Sequence, residues 1–162
     1  GMDRAQLTRA LYDTLDANGM RDGVHTRLMV SRGVKRTPYQ DPRVTVLEKT
    51  SARLLTPELI DAPCGWVVCD ASFIGLAKVL EAPLRLAAQA CQLVALIKPQ
   101  FEVGKGEVGK GGVVRDPALH ARVCAEVRTW LEGEGWAVQG IVESPITGPE
   151  GNVEFLIAAR RG

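Results

Sequence analysis

Short unbroken apolar runs, separated by segments long enough to be helices, constrain this chain more than any other feature of it. Trp66-Val67-Val68-Cys69 and Leu93-Val94-Ala95-Leu96-Ile97 are apolar at successive positions rather than alternate ones. A strand of that kind is buried on both faces, which marks a parallel sheet covered by helices. Between the two runs, the segment from about Leu76 to Ala90 carries Leu80, Leu84 and Ala87 on one helical face. Upstream, Val44-Thr45-Val46-Leu47 reads as a strand, and Thr56-Pro57-Glu58 sets proline in the first turn of a short helix. Downstream, Asp116 is an N-cap followed by Pro117, with a helix running to about Glu132. Strands from Ala137 to Val142 and from Val153 to about Ala159 follow it. The pattern predicts an α/β domain with a doubly wound, mostly parallel sheet.

The last two strands are joined by residues 143–152, which include Pro145, Gly148, Pro149 and Gly151. That link is too short for a crossover helix, so the final strand is expected to be antiparallel. An antiparallel strand begins at the rim where its parallel neighbours end, which brings Glu154 beside Asp70 and Lys98. Ligands of open α/β sheets bind at that rim, and these three residues are the expected catalytic group. Each also has a plain structural role open to it: Asp70 as a helix cap, Lys98 as a solvated strand end, Glu154 as a partner for Lys98. Together, two acids and an amine can hold a lysine in place to serve as a base, as methyl transfer to a ribose hydroxyl requires.

Composition narrows the alternatives. Lys and Arg number 20 against 19 Asp and Glu, so affinity for RNA has to come from a local patch rather than a global field. The loop with Lys105, Lys110 and Arg115 among glycines is the expected RNA-backbone contact, or else an ordinary flexible loop. Gly104 to Lys110 has P-loop spacing, but Gly111 stands where Ser or Thr would bind magnesium. Cys64, Cys69, Cys91 and Cys124 form no C-x-x-C pair and there are only two histidines, so no metal site is expected and the thiols read as reduced and mostly buried. His25 and His120 read as surface residues. No run approaches the roughly 20 apolar residues that span a bilayer, which predicts a cytoplasmic protein.

Several ordered stretches resemble the hemolysin A (TlyA) family. They are Asp41-Pro42-Arg43-Val44, Val67-Val68-Cys69-Asp70-Ala71-Ser72-Phe73-Ile74, Ile97-Lys98-Pro99-Gln100-Phe101-Glu102, Val108-Gly109-Lys110-Gly111-Gly112-Val113-Val114-Arg115-Asp116 and the run from Ser144 to Phe155. The family belongs with the FtsJ-like RNA methyltransferases. The resemblance spans about 120 residues, from Asp41 to Arg160. It implies a Rossmann-like methyltransferase fold, S-adenosylmethionine as donor and ribosomal RNA ribose 2′-hydroxyls as acceptors. Of the wider group's Lys-Asp-Lys-Glu tetrad it implies three members here: Lys98 as the base, with Asp70 and Glu154 orienting it. Cofactor contacts are otherwise unassigned, Asp70 being the one candidate.

The domain expected from this resemblance is 41–162. Residues 1–40 hold an amphipathic helix from Asp3 to about Ala17 and an irregular segment, with no S4 domain. Gly19, Gly23 and Gly33 are too scattered to make the glycine-rich cofactor loop, so the N-terminal part of the fold is expected to be incomplete or rearranged. A sheet lacking its first strands exposes an edge, and a homodimer covering it is a further expectation. The alternative to an enzyme is a non-catalytic remnant of the fold that binds RNA or dimerises.

Overall fold

The computed structural model describes residues 47, 49–104 and 106–162. The expected helix Asp3–Ala17, the irregular segment to residue 40, most of the Val44–Leu47 strand and Lys105 lie outside them.

Four strands form one sheet: β1 (Cys64–Cys69), β2 (Ala87–Ile97), β3 (Ala137–Glu143) and β4 (Phe155–Arg161). Their spatial order is β1-β2-β4-β3. β1 and β2 are parallel, while β4 lies antiparallel between β2 and β3. Three strands therefore share a direction and the last one opposes them, as the short link before it predicted. That link bonds back on itself, with the Gly148 N–H donating to the Asn152 carbonyl at 2.8 Å and the Ser144 N–H to the Glu154 carbonyl at 2.8 Å.

Two helices supply the apolar layer. α1 (Leu76–Arg85) buries Leu76, Val79, Leu80 and Leu84, and α3 (Pro117–Gly133) buries His120, Val123, Val127 and Leu131. They close on Leu93, Ile97, Ile157 and Trp136 in one core. Each large side chain there contributes about 1.5–3 kcal/mol by leaving water. Along β2, Cys91, Leu93, Ala95 and Ile97 are buried while Gln92 is exposed and Val94 and Leu96 are half-buried, so the helix-facing side is the drier one. A four-residue helix, α2 (Pro99–Glu102), turns the chain at the end of β2.

Three boundaries differ from the sequence expectation. α1 stops at Arg85, and Ala87–Ala90 are strand rather than helix. Alanine favours helices by only fractions of a kcal/mol per residue, and pairing with Cys64 together with two bonds from Arg161 to the Ala87 and Ala88 carbonyls overrides it. β4 starts two residues later than expected, which leaves Glu154 just ahead of it rather than inside it. Thr56-Pro57-Glu58 makes a single turn, closed by the Leu59 and Ile60 N–H groups on the Thr56 carbonyl, and not a helix.

His120 corrects a further expectation. It is buried, not superficial: its Nε2 lies 2.8 Å from the Val114 carbonyl, and its ring meets Phe155 edge-on at 5.6 Å.

Candidate active site

The carboxyl ends of β1 and β2 and the start of β4 meet at one rim. Cys69 pairs with Ala95, and Ile97 pairs with Phe155, so Asp70, Lys98 and Glu154 each stand one residue beyond a paired position. Lys98 leaves β2 with an extended backbone, and Pro99 behind it starts α2 with the fixed φ that a first helical turn takes.

Lys98 Nζ lies 2.6 Å from Asp70 Oδ1, with the lysine side chain 11% exposed and the carboxylate 74% exposed. The same amine donates to Ser72 Oγ at 3.1 Å. A long side chain is thus threaded through the rim with its head fixed by two partners, and the outer face of Asp70 stays open to solvent. The neighbouring Cys69 thiol registers this pair: burial raises its pKa first, the Asp70 charge raises it further, and Lys98 works against both. The loop carrying Asp70 and Ser72 then turns through Phe73, at a positive φ of 64°. Phe73 packs against Phe101 of α2 with ring centroids 5.0 Å apart.

Glu154 is 5% exposed and is held separately. Its Oε1 accepts from Gln100 Nε2 at 3.0 Å. Gly148 presses on it so closely that a Cβ there would sit 2.2 Å from Oε1. Among the described residues Lys98 makes its ion pair with Asp70, and Glu154 makes none. The rim therefore brings Asp70 and Lys98 into contact and sets Glu154 next to them on a different partner.

Of the three basic residues expected on the glycine loop, Lys105 lies outside the described residues, while Lys110 and Arg115 are exposed. Their loop is bolted down. Asn152 accepts from the Val114 N–H and donates to the Gly112 carbonyl, both at 3.1 Å, and Val113 and Val114 are buried. Asn152 belongs to the link that leads into Glu154, so the basic loop and the acid share a brace. Sequence reasoning missed Ser72, Gln100, Gly148 and Asn152. Each lies within a stretch that carries the family resemblance, but as a small or uncharged residue it gave no ionisable signal.

The sequence model of the FtsJ-like methyltransferase family matches residues 23–161. The chain belongs to this family. As an FtsJ-like protein it is 52% identical, over 120 residues, to a Mycobacterium tuberculosis protein named 16S/23S rRNA (cytidine-2'-O)-methyltransferase TlyA, covering 74% of this chain and 45% of that one. It is 32% identical over 117 residues to Hemolysin A of Brachyspira hyodysenteriae, covering 72% and 49%. A solved structure of a candidate hemolysin from Streptococcus thermophilus superposes with a TM-score of 0.70 at 35% identity, over 75% of this chain and 44% of that one. The FtsJ-like chain thus spans about half the length of the curated relatives it matches.

Proposed function

We propose that this chain is the catalytic half of a hemolysin A-type RNA ribose 2′-O-methyltransferase, working on ribosomal RNA in the cytoplasm. The observation that carries the proposal is the lysine at the rim: Lys98 Nζ is seated 2.6 Å from Asp70 and 3.1 Å from the Ser72 hydroxyl, mostly sheltered from water. The unprotonated amine is the group in the crevice that can accept the proton of a ribose hydroxyl, while Asp70 and Ser72 fix its direction.

The family implies S-adenosylmethionine, which when bound supplies an electrophilic methyl group. The donor set fits its positive end: one oxygen of Asp70 takes Lys98, and the carboxylate is open enough for the other to meet a cation or a hydroxyl. Asp70 is accordingly the residue that would hold it. Scattered glycines in residues 1–40 provide no close-approach loop for its amino-acid end, so binding is expected to be weak. Lys110 and Arg115, exposed on the braced loop, are suited to contact RNA phosphates.

Calorimetric titration with S-adenosylmethionine and S-adenosylhomocysteine, followed by methyl transfer to ribosomal RNA, tests the reading. Lys98→Ala is expected to lower transfer at least about a hundredfold while leaving donor affinity in place, and retained turnover would remove Lys98 from the mechanism.

A second reading is a non-catalytic relative that dimerises. It is favoured by β1, an edge strand among the described residues, on which Trp66 and Val68 are 64% and 75% exposed. Beside them lies an apolar cavity of about 260 Å³ lined in part by Leu55, Ile60, Leu80 and Pro83.

A further inference from the structure

We propose that Gln100 is a positioning residue of the site: its amide fixes the Glu154 carboxylate at the crevice. The inference rests on the reading of the rim as a methyl-transfer site, because that is what gives Glu154 its work.

The contact is directional. Gln100 Nε2 donates to Glu154 Oε1 at 3.0 Å, and among the described residues the buried Gln100 Oε1 has no hydrogen-bond partner. A buried amide oxygen without a partner is costly, so the side chain is not held in this pose by its own acceptor. Turning the amide over would set an acceptor against the Glu154 acceptor and remove the bond altogether. The bond to Glu154 therefore determines the orientation of the amide, and the amide in turn orients the carboxylate.

The surroundings leave Glu154 little else. Gly148 also stands against the carboxylate, and a Cβ there would lie 2.7 Å from Cδ. The charged groups on the elements around it are Lys98 just after β2, Glu102 at the end of α2, Asp70 just after β1, Glu143 at the end of β3, Glu150 in the link, and the exposed Lys110 and Arg115 on the loop braced by Asn152. The cation at the rim, Lys98, is engaged by Asp70 and Ser72. Removing the Gln100 donor leaves the buried carboxylate without this hydrogen bond, and nothing on α2 then fixes its direction at the crevice. The short helix α2 accounts for the placement: Pro99 starts its first turn directly after Lys98, and Gln100 follows two residues along from the lysine.

The decisive comparison is the unsubstituted full chain against Gln100→Met, which keeps the length and removes the donor. In carbon-13 NMR spectra at one fixed pH, the Glu154 carboxyl resonance, single and sharp in the unsubstituted chain, is expected to shift and broaden in the variant. In transfer assays kcat is expected to fall about tenfold with the donor KM little changed. An unmoved Glu154 carboxyl resonance, or an unmoved kcat in an active enzyme, overturns the proposal. If the variant fails to fold, the Gln100 side-chain amide protons of the unsubstituted chain decide it: one of the pair should exchange slowly with solvent, as a hydrogen-bonded proton does, and two rapidly exchanging protons overturn the proposal. Failure of the unsubstituted chain to transfer methyl groups would instead count against the enzyme reading, while the two NMR measurements still judge the positioning of Glu154.

Discussion

Gly148 and Glu154 are packed so tightly that one substitution separates their roles. In Gly148→Ala the added methyl has to displace the end of the glutamate side chain, which is flexible, rather than backbone. The expected result is a chain that melts within a few degrees of the original but transfers methyl groups at least about tenfold more slowly; unchanged turnover would mean that the position of Glu154 is immaterial. Glu102 offers a second test at this scale. Its Oε1 accepts from the Leu76 N–H at 2.8 Å, capping α1 from the end of α2. Burial raises the Glu102 pKa, and the bond from Leu76 only partly opposes this. A carboxyl whose folded pKa is raised lends stability that is fully present below its unfolded value and is lost as pH rises through the folded one. Glu102→Gln keeps an acceptor oxygen and has no proton to lose. Its stability relative to the original chain should therefore climb as pH increases from about 4 toward neutrality, and parallel urea-unfolding curves across that range would refute this. Single residues were read from sequence mainly by charge: Asp70 and Lys98 were visible as strand-end polar groups. Gln100, neutral and one position past a proline, drew no attention, and buried His120 looked like any other polar residue early in a helix.

Elements were more legible than residues. The Asp116-Pro117 signal marks the start of α3 correctly, and the Asp116 side chain accepts from the Ala118 N–H at 2.8 Å. Asp116→Ala should cost about 1 kcal/mol in a denaturant titration without changing the slope, and a loss well below that would mean the backbone bonds from Leu119 and His120 suffice. β2 was only half legible. Its apolar stretch from Leu93 announces itself, while Ala87-Ala88-Gln89-Ala90 carries helical propensity and becomes strand through partners distant in sequence. The cap of α1 was not legible at all, since Gly75 bears no capping side chain and the group that serves is Glu102.

At the scale of the molecule, the order of apolar runs and helix-length gaps foretold the mixed sheet and its reversed last strand, because those follow from chain length and burial. What covers β1 does not follow from them. Trp66 and Val68 face outward on that edge, and a second copy is the expected cover, so sedimentation at micromolar concentration should show a dimer. Trp66→Lys should then shift it to monomer, whereas a monomer in the unsubstituted chain removes the dimer reading. The pairing of β4 with β2 has its own consequence. Side chains alternate across a strand, so sliding β4 by a single residue would turn Val153 or Phe155 toward the crevice and carry Glu154 out of it, with every backbone bond remade. Chemistry at this rim is thus hostage to a ladder of hydrogen bonds, and a substitution as remote as Ala159 or Arg161 could silence it without touching an ionisable group.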